Sequence, residues 1–448
     1  MYRRGNMKSR ILSYWRVVFF AVVCMSLMFS GSAFSAGFAL VEQGVKGLGN
    51  AYAGGAAGAE DAATIFFNPA GMTRLGGNQF IFASHLIMPY ADFDNDGSTH
   101  VTGAPLRGDD DGNAADAKII PNMYYCRKMG DRFFMGIGVN VPFGLSTEYD
   151  RTWVGRYHAV KSDLMTLNIN PSIAYQFTDQ LSIGAGFSIQ YAEAELSSAV
   201  DFGTIGALLK IPGLLPQRND GYFDLEGDSW SGGYNMGLLY EFTKHTRAGV
   251  SYRSRIEHTL DGDADFSGVP APLKPTFRDT GAEAEVTFPD SLSVSLFHQF
   301  NPQWMVMADF TWTNWSLFEE LVVEFDNGNP SNRTIEKWQD SYRYSLGATY
   351  LHDKNWTVRI GTAYDTSAVA HAKYRTPRIP DGDRIWAAVG LGYKVSDMIG
   401  VDIGYSHLFI NDPDINKTAT GDDRLRGALR GSYSSHIDIV SAQLTMSF

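Results

Sequence analysis

Hydrophobic and polar residues alternate with a period of two along most of this chain. At the C-terminus, Val440, Ala442 and Leu444 are separated by polar residues, and the stretch 342–350 alternates apolar or aromatic residues with Arg, Ser, Gly and Thr. Further stretches with this alternation are 133–143, 165–177, 181–191, 248–252, 356–364 and 384–395. Successive side chains of a β-strand point to opposite faces, so the pattern predicts strands with one apolar and one polar face.

The connections between these strands distinguish a soluble sandwich from a membrane barrel. The short, polar connections are Gly130-Asp131, Thr178-Asp179, Lys244-His245, Asn301-Pro302, Asp353-Lys354 and Ser396-Asp397. The long ones span approximately 91–117, 143–162, 199–227, 262–281, 325–336, 372–383 and 411–431. Long and short connections alternate strictly, which gives an even number of strands, as in outer-membrane barrels. The sequence predicts an all-β fold, a 14-stranded antiparallel transmembrane β-barrel, with an ordinary β-sandwich as the alternative.

The first 35 residues have the pattern of a secretory signal peptide. Basic residues precede the apolar run Val17–Phe29, and the small residues Ala33 and Ser35 come directly before the predicted cleavage bond. We therefore expect export to the outer membrane of a Gram-negative bacterium, with both mature termini in the periplasm. The C-terminal Phe448 fits a signal for the barrel assembly machinery, and we expect a monomer.

Composition and motifs exclude several other classes. The 448 residues include 37 Lys+Arg and 49 Asp+Glu, a net charge of −12, which makes nucleic acid an improbable partner. No run of 18 apolar residues follows residue 40, so a helical membrane protein is not predicted. The chain has no Gly-x-Ser-x-Gly or His-Glu-x-x-His motif, and the acidic run Asp92–Gly97 lacks the final Glu of a calcium loop. We therefore predict no enzyme, no cofactor and no metal site.

Residues 36–77 differ from the rest of the chain, which we assign to the barrel as residues 78–448. They are rich in Gly and Ala and show no period of two. Because a 14-stranded barrel has a lumen wider than side chains can fill, a compact insert in the lumen is needed to avoid an open aqueous pore. We predict that residues 36–77, here called the hatch, form this plug.

Several motifs resemble the FadL family, outer-membrane transporters of long-chain fatty acids and other hydrophobic compounds. The hatch run 47–54, Gly-Leu-Gly-Asn-Ala-Tyr-Ala-Gly, and the triplet Asn68-Pro69-Ala70 are similar to that family's N-terminal hatch, and the segment 142–149 is similar to its third strand and second loop. The resemblance covers the whole mature chain. It implies a plugged 14-stranded barrel with a lateral opening at an inward kink of the third strand.

The resemblance also assigns the residues of the opening. It places Asn68, Pro69 and Ala70 against 140–144, and movement at Phe38 would open a path to the kinked strand. A strand kink needs Gly or Pro, and Pro142 and Gly144 end an otherwise regular strand. From the residues alone, these two could equally start the following loop.

Two further groups of residues are candidate ligand contacts. Exposed apolar clusters usually mark binding surfaces, and the loop after residue 202 carries one. Its members are Leu208, Leu209, Ile211, Leu214 and Leu215. Strand parity directs Arg343 and Arg359 into the lumen, either as a lining paired with acids such as Asp309 or as a clamp for a carboxylate.

The expected partners are hydrophobic small molecules, outer-membrane lipid and lipopolysaccharide. The sequence leaves the ligand open, because Ser198 lies where the fatty-acid importer of the family has an arginine that holds the carboxylate. Uptake of aliphatic or aromatic hydrocarbons without carboxylate recognition is therefore an alternative to fatty-acid uptake. A structural or adhesin barrel is a further alternative, against which the hatch argues.

Overall fold

The computed structural model describes residues 37–448; the predicted signal peptide lies outside this part of the chain. The strands are β1 Gln79–Asn95, β2 Lys118–Lys128, β3 Phe133–Asn140, β4 Gly144–Glu148, β5 Lys161–Gln176, β6 Leu181–Asp201, β7 Asp220–Thr243, β8 Thr246–Arg253, β9 Ile256–Ser267, β10 Thr280–Phe288, β11 Ser291–Gln299, β12 Trp304–Thr313, β13 Glu320–Phe325, β14 Asn332–Ile335, β15 Ser341–Leu351, β16 Trp356–Asp365, β17 Arg384–Lys394, β18 Ile399–Ile410, β19 Asp414–Asn416 and β20 Arg430–Ser447. The α-helices are α1 Val45–Gly49, α2 Gly55–Gly58, α3 Thr64–Phe67 and α4 Phe202–Leu208, and the 3₁₀ turns are Pro69–Arg74, Ala271–Leu273, Trp315–Leu317 and Gly421–Leu425. None of the described helices is long and apolar enough to cross a membrane.

The strands close into one antiparallel ring. β1 pairs with β2 on one side and with β20 on the other, from Gln79↔Ser447 to Asn95↔Gly431, so no edge is left between the first and last strands. Five strands of the ring are interrupted and appear as two halves: β3–β4, β8–β9, β10–β11, β12–β13 and β14–β15. With the short loop strand β19 set aside, the ring has fourteen strands, which confirms the predicted fold class.

The period of two separates a lipid face from a lumen face. Leu346, Ile360 and Val389 are 63%, 59% and 50% exposed on the outer wall, whereas the intervening Ser345 and Arg359 are buried in the lumen. A bilayer accepts apolar side chains and leaves no water for backbone groups, so a closed ring with apolar residues outside satisfies both demands. The alternation in the sequence therefore has the lipid as its physical cause.

The strands run further outward than the sequence suggested. β6 and β7 have 21 and 24 residues, and their pairing continues to Asp201↔Asp220. The long connection between them is therefore 202–219 rather than 199–227. The outer part of this hairpin was assigned to a loop because it lies beyond the bilayer, where residues such as Glu195 and Glu226 interrupt the apolar face.

The described part of the hatch packs against the inner face of the wall at glycines. A Cβ added at Gly361 would lie 2.1 Å from the carbonyl carbon of Asn50, and one added at Gly249 would lie 1.9 Å from the Ala56 oxygen. The guanidinium of Arg247 donates to the oxygens of Ala57 and Gly58 at 2.6 and 2.5 Å. The small residues of the hatch and these wall glycines permit a close backbone approach that larger side chains would block.

Candidate ligand pocket and lateral opening

The third strand of the ring is broken where Pro142 was expected to kink it. β3 ends with the pair Asn140↔Asn168 and β4 begins with Gly144↔Met165, so the broken strand has one residue more than β5 between the two pairs. An extra residue in one strand bends that strand locally, and proline removes a backbone donor. The break therefore lies at the predicted residues.

The hydrogen-bonded pairing between neighbouring strands of the barrel wall is interrupted beside this break. β2 pairs with β3 only over 123–128, and its remaining residues 118–122 pair with β1 alone. β4 pairs with β5 and has no ladder with β2 among the described residues. A lateral opening between β2 and β4 follows from this pairing, spanned near its outer end by one bridge between Ala115 and Thr147.

The first residues of the described chain fill the opening from inside. The backbone N–H of Gly144 donates to the Phe38 oxygen at 2.9 Å, and that of Leu40 donates to the Pro142 oxygen at 2.8 Å. Residues 38–40 thus replace part of the missing ladder. The opening is closed by backbone hydrogen bonds to the hatch, which can be broken without unfolding a strand.

The structure corrects the expected position of the Asn68-Pro69-Ala70 triplet, which we had placed against 140–144. The Asn68 amide donates instead to the oxygens of Ala56, at 2.7 Å, and Leu238, at 3.0 Å. The reason is a recess made by two glycines on neighbouring strands. A Cβ added at Gly184 would lie 2.4 Å from the Ala70 nitrogen, and one added at Gly237 would lie 1.8 Å from Asn68 Oδ1. The triplet anchors the hatch to β6 and β7.

Aromatic rings seal the lumen at the level of the opening. The ring of Phe38 lies 4.6 Å from Trp315 and 6.3 Å from Phe143, and Phe143 stacks on Phe288 at 4.6 Å. Phe38 and Trp315 are buried, so this cluster leaves no passage in the described conformation. Movement of Phe38 would remove the central ring of the cluster.

An apolar pocket lies on the extracellular side of Phe38. Its cavity volume is about 70 Å³ in the described conformation, below the range of about 300–1,000 Å³ that is usual for ligand sites, so a bound ligand would have to displace part of the lining. Its apolar lining, besides Phe38, is formed by Leu145, Leu164, Ala194, Leu196, Leu225, Leu260, Ala282, Ala284, Val286, Phe318, Leu321 and Ile379. Transfer of a hydrocarbon chain from water to such a surface lowers its free energy.

The lining also contains four charged residues, Arg378, Glu336, Asp163 and Glu226. Arg378 Nη1 donates to the Lys161 oxygen at 2.9 Å and to Ser162 Oγ at 2.8 Å, and Nη2 donates to the Ser197 oxygen at 3.3 Å. All three acceptors are neutral, and no carboxylate of the described residues lies within ion-pair distance of this guanidinium. Burial lowers the pKa of Arg378 to about 10, so it remains a cation at neutral pH.

Glu336 is fully buried beside this cation. Burial raises its pKa to about 7, against the opposing effect of Lys417 and of the Trp338 indole, whose Nε1 donates to Glu336 Oε2 at 3.0 Å. Among the charged residues of the pocket, Arg378 stays positive and Glu336 changes its charge near neutral pH.

Comparison with known proteins identifies the family to which this barrel belongs. The family described as outer membrane protein transport protein (OMPP1/FadL/TodX) matches residues 26–448. The chain belongs to this family. The long-chain fatty acid transport protein of Escherichia coli O6:H1 is 33% identical over 402 residues, covering 85% of this chain and 88% of the relative.

Solved structures agree with the assignment to the OMPP1/FadL/TodX family. The crystal structure of a Pseudomonas aeruginosa FadL homologue is 25% identical with a TM-score of 0.85, and the match covers 92% of this chain and 100% of the other. The Ralstonia pickettii toluene transporter is 22% identical with a TM-score of 0.63, covering 92% and 99%, and shows the same fold. The prediction of an outer-membrane transporter barrel for hydrophobic compounds is confirmed, and the family is one of transporters rather than enzymes.

The lumen arginines predicted from strand parity are already paired. Arg359 contacts Asp402 at 2.9 Å and the hatch residue Glu60 at 3.2 Å, and Arg343 faces Asp309 at 3.7 Å. The two arginines lie on neighbouring strands, but Arg359 is in register with Thr349, six residues from Arg343. This separation is roughly 20 Å along the strand, so the structure does not bring the two together. A carboxylate clamp at these residues stays a prediction, and their pairing favours the lining role.

The loop leucines lie at the surface, outside the apolar pocket. Leu208, Leu209 and Leu215 are 61%, 62% and 52% exposed, and Ile211 and Leu214 are half-buried. They surround the end of α4, whose first residue Phe202 packs against Phe277 of the next long loop at 5.0 Å. A capture surface here stays a prediction.

Sequence reasoning missed Arg378, Glu336 and most of the pocket lining. Arg378 was passed over because it lies in a long loop without periodicity. The available signal was the pair of prolines around it, Pro377 and Pro380, which mark a rigid loop segment able to hold a side chain.

Proposed function

We propose that this chain takes up long-chain fatty acids through the outer membrane, with the carboxylate held by Arg378 and the hydrocarbon chain in the apolar pocket. The observation that carries the proposal is a partly buried arginine at a predominantly apolar pocket, with no carboxylate of the described residues in ion-pair contact with its guanidinium. Withdrawing a cation partly from water without a counter-charge costs free energy, and a ligand carboxylate would supply that counter-charge. The E. coli relative is named a long-chain fatty acid transport protein, which supports this ligand class.

The position of Arg378 also compensates for Ser198, which lies where the fatty-acid importer of the family has an arginine. Arg378 Nη2 donates to the backbone oxygen of Ser197, so a guanidinium from another loop reaches the stretch of β6 where the family's arginine is missing. We infer that Arg378 takes over the role of the family's arginine, from a different loop but at the same place in the pocket.

The route follows from the order of the features along the lumen. The exposed leucines around α4 would collect the ligand, and lipophile and lipopolysaccharide would meet the protein at this outer end. The ligand then enters the apolar pocket, displaces residues 38–40 of the hatch and leaves sideways between β2 and β4 into the bilayer. The remainder of the hatch acts as the plug, with Asn68, Pro69 and Ala70 as its anchor and Pro142 and Gly144 at the exit.

Hydrocarbon uptake is the second candidate, favoured by the predominantly apolar lining. The two candidates differ in the need for Arg378. We expect Arg378→Met to weaken binding of hexadecanoic acid by about 10- to 150-fold, the worth of a charge-assisted hydrogen bond of about 1.5–3 kcal/mol. Binding of hexadecanol should change little.

The measurement is competition of each ligand against a fluorescent fatty acid on purified barrel. The double variant Arg343→Gln/Arg359→Gln is the matched control, because these lumen arginines already face carboxylates. Equal losses for acid and alcohol in the Arg378 variant would contradict carboxylate recognition there. A loss of acid binding confined to the control would instead place the clamp at Arg343 and Arg359.

A further inference from the structure

Four carboxamide side chains form a row across four adjacent strands just below the lateral opening. Asn140 and Asn168 are paired in register, Asn168 is paired with Gln190, and Met123↔Val139 sets Asn122 opposite Asn140. All four side chains are buried on the lumen face, with exposed fractions of 0–1%. This set is called the amide row.

The amide row has unused hydrogen-bonding atoms at its centre. Asn168 Nδ2 donates to Asn140 Oδ1 at 3.2 Å, but among the described residues Asn168 Oδ1 and Asn140 Nδ2 have no hydrogen-bond partner within 3.5 Å, the Tyr124 hydroxyl being a more distant partner of Asn140. The neighbouring pair differs: Asn170 donates to Asn235 Oδ1 at 3.0 Å and accepts from Ser172 Oγ, and Asn235 donates to the Ile65 oxygen. Buried polar atoms are normally paired, so two free ones side by side need an explanation.

The free atoms lie at the rim of the opening and under the hatch. Asn140 is the last residue of β3 before the break. The Asn122 amide donates to the Glu42 oxygen at 2.7 Å, and the Gln43 amide donates to the Val141 oxygen at 2.9 Å, so hatch residues cover the row. Movement of this part of the hatch would expose the row and the opening together.

We infer that the amide row is a transit site for the uncharged polar head group of the ligand, a protonated carboxyl or a hydroxyl group. The inference rests on the proposed function and adds the place where the head group is held after it leaves Arg378. One free N–H donor beside one free oxygen acceptor matches a carboxylic acid, which offers one acceptor and one donor. The row carries no charge, so it suits the neutral form of the head group, which is also the form that enters hydrocarbon most easily.

The test removes both amides of the central pair together. Asn140→Leu/Asn168→Leu keeps the side-chain size and deletes both partners of their mutual hydrogen bond, which leaves no new unpaired atom at this pair. Asn170→Leu/Asn235→Leu is the matched control, a buried amide pair whose atoms are already used. Heat-modifiable migration checks that each barrel folds, and the single variant Asn168→Leu is a second route if the double variant fails to fold.

Uptake of hexadecanoic acid, hexadecanol and hexadecane is measured in cells without another such transporter. In the Asn140/Asn168 variant we expect uptake of acid and alcohol to fall about tenfold, the worth of roughly one neutral hydrogen bond, while hexadecane uptake and acid binding at Arg378 stay at the wild-type level. Equal losses for all three compounds, or no loss for any, would overturn the inference. Failure of the proposed function would appear separately, as a wild-type barrel that does not bind the acid.

Discussion

The charge of Glu336 should make the affinity of the apolar pocket for anionic ligands depend on pH. Glu336 is buried in the same lining as Arg378 and has a pKa of about 7. A ligand anion in this pocket is compatible with protonated Glu336 and is repelled by its carboxylate. Affinity for an anionic ligand should therefore be full below pH 7 and should be lost as the pH rises through the pKa.

The size of the effect follows from the fraction of Glu336 that is protonated. With a pKa of about 7, about nine-tenths of the molecules are protonated at pH 6 and about one-tenth at pH 8. If only the protonated form binds, affinity falls about tenfold between pH 6 and pH 8, or about 1.4 kcal/mol. Glu336→Gln should bind with nearly constant affinity across this range.

The assay uses an alkyl sulfonate, which remains anionic at every pH tested, with the matching alcohol as the uncharged control. Burial also raises the pKa of the hatch residue Glu42 to about 7, so Glu42→Gln is the matched control variant. Burial lowers the pKa of His158 to about 3, and this histidine stays neutral in the window. A flat wild-type profile, or a slope that persists in Glu336→Gln, would refute the reasoning.

Three further predictions concern the wall and the hatch. Val389→Arg, on the lipid face, should destabilise the barrel by roughly 2–4 kcal/mol near the midplane, seen as a lower temperature of heat-modified migration, whereas an unchanged temperature would reverse the assigned face. Deletion of residues 37–77 should leave a foldable barrel with higher ion conductance in planar bilayers, and an unchanged conductance would mean that the segment is no plug. Gly144→Trp should slow uptake without weakening ligand binding at the loops, so normal uptake would argue against exit beside β4.

The fold was predictable because the bilayer imposes one rule on every strand. Leu346, Ile360 and Val389 face lipid for the same reason, so the local period of two is enough to predict the barrel fold. The breaks were predictable in part, since proline and glycine at positions 142 and 144 have direct consequences for the backbone.

The site could not be predicted in the same way, because its parts meet only through register and loop packing. Asn122, Asn140 and Asn168 are isolated polar residues in three separate strands, and only the strand register aligns them. Arg378 reaches β6 from a loop more than a hundred residues away in sequence. The Asn68 triplet was misplaced because its recess depends on glycines of two other strands, which no local pattern connects to the hatch.

The length of the β6–β7 hairpin determines how far the exposed leucines around α4 stand from the bilayer. The 21 residues of β6, at about 3.3 Å each, give roughly 70 Å of strand, or roughly 50 Å of height at a tilt of about 40°. The apolar band takes up about 25 Å, so the exposed leucines around the end of α4 stand roughly 25 Å above the bilayer. A ligand captured at these leucines would therefore be collected from the aqueous side, at the level of the lipopolysaccharide sugars, and not from the hydrocarbon of the bilayer.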